Sequence, residues 1–287
     1  QLVSKVGRAF VKLGQTIVMA FVGTVFASLL DPRGGSVSVR PRAPFSVARR
    51  YIGPSAVLET TFTTEGGVLR LIDLMPIVDG MRPMGPLREV LRVAECLEGS
   101  VEVDIRVELR PDYAERRLRP RHRGKLGWLY AWRDEVLAVC ADFALEAQDD
   151  DLAATIVLSA GERRYLSLAY GKGEPAVFPA LGEDADRRIL DTIEWWRSWT
   201  ACCRYDGPWR AEVLRSVVTL KLLTYAPSGA IVAAPTTSLP EALGKGRNWD
   251  YRYCWLRDAG LVNQALISLG YDGEARSFLD WMLHATR

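Results

Sequence analysis

The stretch Val101-Glu-Val-Asp-Ile-Arg-Val-Glu-Leu109 decides the first half of the fold. It alternates strictly. Val101, Val103, Ile105, Val107 and Leu109 fall on one face, and Glu102, Asp104, Arg106 and Glu108 on the other. Strand side chains point alternately to two faces, so a period of two with one apolar face marks a strand laid over a core. Upstream, residues 57–62 are a short β-branched run, Gly66-Gly67 makes a turn and residues 68–75 return, which is a hairpin signature. Downstream, similar short runs recur at residues 128–132, 135–140, 154–159 and 163–169. Strand runs at this spacing predict an all-β sandwich over residues 1–170.

The period then changes. Residues 171–182 hold three Gly and two Pro without periodicity and read as a linker, placed at residues 171–183. Residues 184–205 bring Ile189, Ile193 and Trp196 to helical spacing. A second helix is predicted over residues 209–225, with Val213, Val217, Leu220 and Thr224 on one face and Pro227-Ser-Gly229 at its end. Residues 256–269 form a third, stopped by Gly270, which suits a left-handed cap. Asp272-Gly273 turns the chain into a fourth, residues 274–286. Helix, short turn, helix is the unit of an α-helical barrel or bundle. Trp195, Trp196, Trp199 and Trp209 could serve as sugar platforms, but at helical spacing they are expected in the core.

At 287 residues the chain has room for two domains and a substantial core. Hydrophobic residues make up 48% and charged residues 25%, ordinary for a globular protein, and a net charge of +2 gives no ground for a nucleic-acid or membrane partner. The run at residues 116–125 carries six basic side chains plus His122, yet Pro120 and Gly124 mark it as a solvated loop. Five cysteines, with no C-x-x-C pair, fit a reduced cytoplasmic protein rather than a zinc or dithiol site. Two histidines, His122 and His284, leave little material for His-centred metal sites or a Ser-His-Asp triad, and no metal or cofactor is expected. Residues 13–30 are free of charge and follow Lys5, Arg8 and Lys12. Alternating small and β-branched residues read as buried strand; an export signal or a short membrane span is the alternative.

The most informative stretch for function is Gly246-Arg-Asn-Trp-Asp-Tyr-Arg-Tyr-Cys-Trp-Leu-Arg-Asp-Ala259. It resembles the signature of bacterial glycoside hydrolase family 15, the glucoamylase and trehalase group. So do Ala234-Pro-Thr-Thr-Ser-Leu-Pro-Glu241, Arg49-Arg-Tyr51, Val57-Leu-Glu-Thr-Thr-Phe-Thr-Thr64 and Leu71-Ile-Asp-Leu-Met-Pro76. The resemblance covers roughly residues 26–287. It implies a β-sandwich followed by the first helices of an (α/α)6 barrel, which would open at residue 184. It also implies an inverting hydrolase of α-glucosidic bonds in α-glucan ends or trehalose, with an oligosaccharide or disaccharide as partner.

Residue by residue, the resemblance assigns Arg257 and Asp258 to the hydroxyls of the terminal glucose. It sets Trp255 beside the reacting ring and Tyr251 near the anomeric carbon; Trp249 is a further stacking surface. The chemistry suits: a sugar hydroxyl donates and accepts, a carboxylate accepts and a guanidinium offers a fork of donors. The plainer reading leaves Arg257 and Asp258 at a solvated helix start, with Asp258 favoured by the helix dipole.

The chain departs from the family pattern at both ends. Residues 1–24 do not match what precedes Val25-Phe-Ala-Ser-Leu-Leu-Asp31 in the family, and about four helices are predicted where such a barrel has twelve. Inverting hydrolysis needs two carboxyl groups about 6.5–9.5 Å apart. Glu241 and Asp250 lie near the motif but do not match those roles, so the catalytic acid and base are expected beyond residue 287, leaving this chain alone inactive. The alternative is a non-catalytic sugar-binding or scaffolding protein on the same fold.

Overall fold

The computed structural model describes residues 26, 28, 33–77, 88–112, 114–173, 175–226, 228–235, 237–238, 241–242 and 244–286. The readings made above for residues 1–24 and, apart from Phe26 and Ser28, for residues 25–31 lie outside them, as do Pro227, Thr236, Leu239 and Pro240. Contacts divide the chain into two units. Among the described residues, one holds those within 26–52 and 56–195; the other holds those within 196–286 with residues 53–55.

The first unit is built on antiparallel strands: β1 (Ser36–Pro41), β2 (Ser46–Tyr51), β3 (Leu58–Thr63), β4 (Gly67–Leu74), β5 (Glu89–Glu108), β6 (Arg121–His122), β7 (Trp128–Trp132), β8 (Glu135–Ala141), β9 (Glu146–Gln148), β10 (Asp151–Ser159) and β11 (Arg163–Lys172). Strand β5 is 20 residues long and serves two ladders. Its first half pairs with β4 and β11, within the order β2-β3-β4-β5-β11-β8-β7-β6. Its second half pairs with β1 and β10, and β10 carries β9.

The alternation at residues 101–109 is realised in the second half of β5. Val101, Val103, Ile105, Val107 and Leu109 are all at most 2% exposed. Burying each such side chain contributes roughly 1.5–3 kcal/mol. The first ladder faces the second with Leu71, Ala94 and Leu166, which meet Val39, Ile105 and Ile156 around a small void. From this face Arg92 donates to the Val37 carbonyl (2.7 Å).

The halves of β5 meet at Gly99, whose φ is +68°. A Cβ there would lie 2.2 Å from the Gly66 carbonyl oxygen. The bare backbone of Gly66-Gly67 therefore does two jobs: it turns the hairpin and lets β4 approach β5.

Helix α1 (Glu183–Ala201) covers the opposite face of the first ladder with its N-terminal part. Ala185 and Ile189 join Val57, Ile72, Leu74, Leu91, Val93 and Tyr165 in one cluster. Its first turn carries Glu183, Asp184 and Asp186, which suits the positive end of the dipole. Asp186 also accepts from Tyr165 (2.8 Å) and Arg163 (3.1 Å).

The second unit holds the end of α1 with α2 (Arg210–Leu222), α3 (Leu256–Ser268) and α4 (Asp272–Ala285). Val217, Leu266, Cys203 and Tyr271 form its centre, with Trp199, Val213 and Val262 packed around them. Glu274 of α4 ties three helices together: it accepts from the Trp199 indole (2.7 Å) and from Lys221 (2.9 Å). Gly270 ends α3 with φ +97°; its N–H reaches the Ile267 carbonyl and that of Tyr271 the Leu266 carbonyl, a double cap that consumes orphan carbonyls.

Trp196 is buried as expected, and Trp199 packs in the core. Trp209 differs: it is 65% exposed. It occupies the N-cap of α2, ahead of the first full turn, and so lies off the helix's inner face. Among the described residues no helix is long and apolar enough to cross a membrane.

Candidate functional site

The motif loop is anchored before it is shaped. After α2, Val232 N–H bonds the Leu223 carbonyl and Thr224 bridges Ile231, which is buried against Ala259 of α3 and Phe278 of α4. The chain then runs antiparallel to residues 249–253. Ala234 N–H reaches the Tyr251 carbonyl (2.9 Å), Ala233 N–H that of Tyr253 (3.2 Å) and Ser238 N–H that of Trp249 (2.7 Å). The Ser238 hydroxyl accepts the Trp249 backbone N–H in return (2.7 Å). The two family-like phrases, around residues 234–241 and 246–259, are therefore partners in one short ribbon.

Trp255 is the N-cap of α3, in an extended conformation (φ −94°, ψ 116°). Its carbonyl accepts the first helical bond from Ala259, and its indole N–H is held by the Asp250 carbonyl (2.9 Å). Two rings meet it edge-on: Tyr251, with centroids 5.6 Å apart, and Trp249, at 6.2 Å. Edge-on packing suits the ring quadrupoles. Trp249 is partly exposed, and its indole reaches Glu241 (3.3 Å), which also pairs with Arg247 (3.2 Å).

Arg257 and Asp258 follow in the first turn of α3, and Arg257 Nη2 donates to Asp258 Oδ2 (3.1 Å). The Arg257 side chain is 72% exposed and that of Asp258 34%. An exposed ion pair contributes little to stability. Of the four residues singled out in sequence, the structure thus brings Tyr251 into contact with Trp255, and Arg257 with Asp258. No hydrogen bond joins one pair to the other.

Sequence reasoning missed the role of Asp250 and Arg252. The Asp250 carboxylate accepts from the Arg252 backbone N–H (3.0 Å), Nε (2.9 Å) and Nη2 (2.7 Å). Those bonds from Arg252 hold the Asp250 carboxyl below the usual carboxylate range, against a smaller opposing effect of partial burial. The available signal was Asp followed two residues later by a donor, the spacing of an Asx-turn. Exposed aromatic surface beside an accessible carboxylate–guanidinium pair is chemistry for a polyhydroxylated ligand. Among the described residues no group of acidic, His or Cys side chains is arranged to hold a metal ion.

Comparison with known proteins agrees with the motif. Residues 207–287 match the family described as "Glycosyl hydrolases family 15". The chain is 33% identical over 269 residues to a trehalase of Thermoplasma volcanium, a match covering 92% of this chain and 42% of that protein. It is 32% identical over 296 residues to a trehalase of Mycolicibacterium smegmatis, covering 90% and 42%. A solved structure titled putative kojibiose phosphorylase from human microbiome is similar at a TM-score of 0.42 and 8% identity, over 69% of this chain and 32% of that one. The chain spans about two fifths of the length of the curated relatives it matches. On the motif and these sequence matches together, residues 207–287 of the chain belong to glycosyl hydrolase family 15.

Proposed function

We propose that this chain carries the glucose-binding part of an inverting α-glucosidic hydrolase, and that trehalose is its substrate. The observation that carries the reading is the start of α3. There Arg257 stands exposed and Asp258 half-buried, paired with each other in the first turn after Trp255 and its edge-on neighbour Tyr251. The names of the curated relatives favour trehalose over α-glucan ends.

In this reading Asp258 accepts from hydroxyls of the terminal glucose and Arg257 donates to them. Trp255 lies beside the ring, and the Tyr251 hydroxyl stands near the anomeric carbon as it gains oxocarbenium character. Inversion requires a carboxylic acid to protonate the leaving oxygen while a carboxylate takes a proton from water, which attacks the opposite face. Asp250 is committed to Arg252, and Glu241 to Arg247 and Trp249, so neither is free for those roles. The reading therefore assigns the acid and base to neither and expects the chain by itself to release no glucose.

The domain reading is part of the proposal: a β-sandwich over residues 1–170, a linker over residues 171–183 and the opening helices of an (α/α)6 barrel from residue 184. Five unpaired thiols favour a reducing compartment, the cytoplasm.

The test is a tryptophan-fluorescence titration of this chain with trehalose, with lactose as the β-linked control. Saturable quenching by trehalose alone is expected. Equal responses to both sugars, or to neither, would overturn the site.

A further inference from the structure

We propose that Asp250 and Arg252 form a positioning device that orients Tyr251 and Trp255 toward the sugar. The proposal rests on the sugar-site reading above and adds residues that reading does not use.

A carboxylate and a guanidinium two positions apart share one face along an extended chain, but there the carboxylate does not also reach the backbone N–H of the second residue. Here residue 251 lies in a turn, and the Asp250 carboxylate receives three hydrogen bonds from Arg252. Two come from the guanidinium as a fork, the geometry that adds direction as well as strength. The result is a closed ring whose third side is the backbone of Tyr251.

The backbone of Asp250 works at the same time. Its carbonyl holds the Trp255 indole N–H, and Tyr251 meets Trp255 edge-on. One residue thus fixes the turn at Tyr251 with its side chain and the tilt of Trp255 with its main chain. Asp250 is further pinned by its bridge to Thr237 across the ribbon. A purely stabilising pair would gain little at this place. Both side chains are about a third exposed, where solvent screens the attraction. What the ring gains is precision: a stacking aromatic displaced by an ångström loses its contact with a sugar face.

The experiment compares wild type, Asp250→Asn, Arg252→Lys and Asp258→Asn in this chain. Trehalose affinity is read by fluorescence titration, the aromatic environment by near-ultraviolet circular dichroism and folding by the thermal midpoint. Asn keeps the turn's acceptor but loses the fork, and Lys keeps the charge but loses the fork. Both are expected to weaken trehalose binding by about tenfold or more. Both should change the near-ultraviolet spectrum, with the midpoint lowered by only a few degrees.

Wild-type affinity in both ring variants, with binding lost in Asp258→Asn, would sink the positioning role and leave the sugar site standing. Absence of saturable binding in the wild-type chain would remove both. Should Asp250→Asn fail to fold, Arg252→Lys decides alone: folded with wild-type affinity and an unchanged spectrum, it overturns the proposal.

Discussion

Asp258 stands in the first turn of α3, where the helix dipole favours a carboxylate by about 0.3–1 kcal/mol. That is all the helix asks of it, because its ionic partner Arg257 is largely in solvent. Asp258→Asn is therefore expected to cost under about 1 kcal/mol in stability while weakening trehalose binding by roughly tenfold or more, the loss of a charge-assisted acceptor. A thermal melt and a titration on the same preparation separate the two; a large drop in midpoint with unchanged affinity would return Asp258 to a merely structural role. Glu274 presents the opposite case. Burial raises its pKa, but the hydrogen bond and charge of Lys221, with the Trp199 indole, outweigh it and leave the group below its ordinary value. A carboxylate whose pKa falls on folding stabilises above its unfolded pKa, about 4.3, and that contribution is lost as pH drops through the folded value. Glu274→Gln should then lower stability by roughly 1.5–3 kcal/mol at pH 7. The gap from wild type should begin to narrow as pH falls below about 4.3 and close only below the lowered folded value. Arg257 and Asp258 stand out in the sequence because a short motif carries them. Glu274 does not, because its partners lie 53 and 75 residues away, and nothing local announces a contact of that kind.

Strand β5 shows which elements can be read from a chain and which cannot. Its second half alternates because one face meets the core and the other meets water. Its first half is covered on both faces, by the second ladder and by α1, so Val90, Leu91, Val93 and Ala94 blur the period and no strand was predicted there. Strands β1, β2, β6 and β9 were also missed: β6 and β9 are only two and three residues long, and β2 is almost wholly exposed. The four helices came through within a few residues, since apolar side chains at helical spacing mark them. The joint between the halves of β5 is the element's weak point. Gly99→Ala puts a methyl against the Gly66 carbonyl and forces a side chain onto a positive φ. A loss of about 1–3 kcal/mol in chemical denaturation is expected, with the circular dichroism of the surviving fold unchanged. A loss near zero would mean that β4 can retreat from β5 freely. The motif loop could be located in the sequence, but its shape could not. Its ribbon with residues 233–238 depends on pairings across an irregular stretch that carries no period at all.

At the scale of the molecule, apolar surface is unevenly spent. Leu256, Leu261 and Ile267 of α3 and Leu279 and Leu283 of α4 are each close to half exposed or more. Apolar side chains gathered on neighbouring helices invite association. The chain is expected to bind a hydrophobic dye strongly and to scatter light in a concentration-dependent way. Replacing Leu261 and Leu283 by Gln should diminish both signals without changing the melting midpoint. A dye-silent monomer would show that these faces are dispersed rather than contiguous. The sheets show the reverse economy, for they share a strand. Neither ladder of the first unit can peel away without carrying off half of a segment on which the other is assembled. Deuterium uptake should register this directly. The amides of Leu91, Val93, Val103 and Ile105 lie in different ladders yet should exchange on one timescale, the slowest in the unit, because no partial opening frees one group alone. For a protease probing the folded chain, β5 is accordingly the last place to cut, and the two ladders live or die as one.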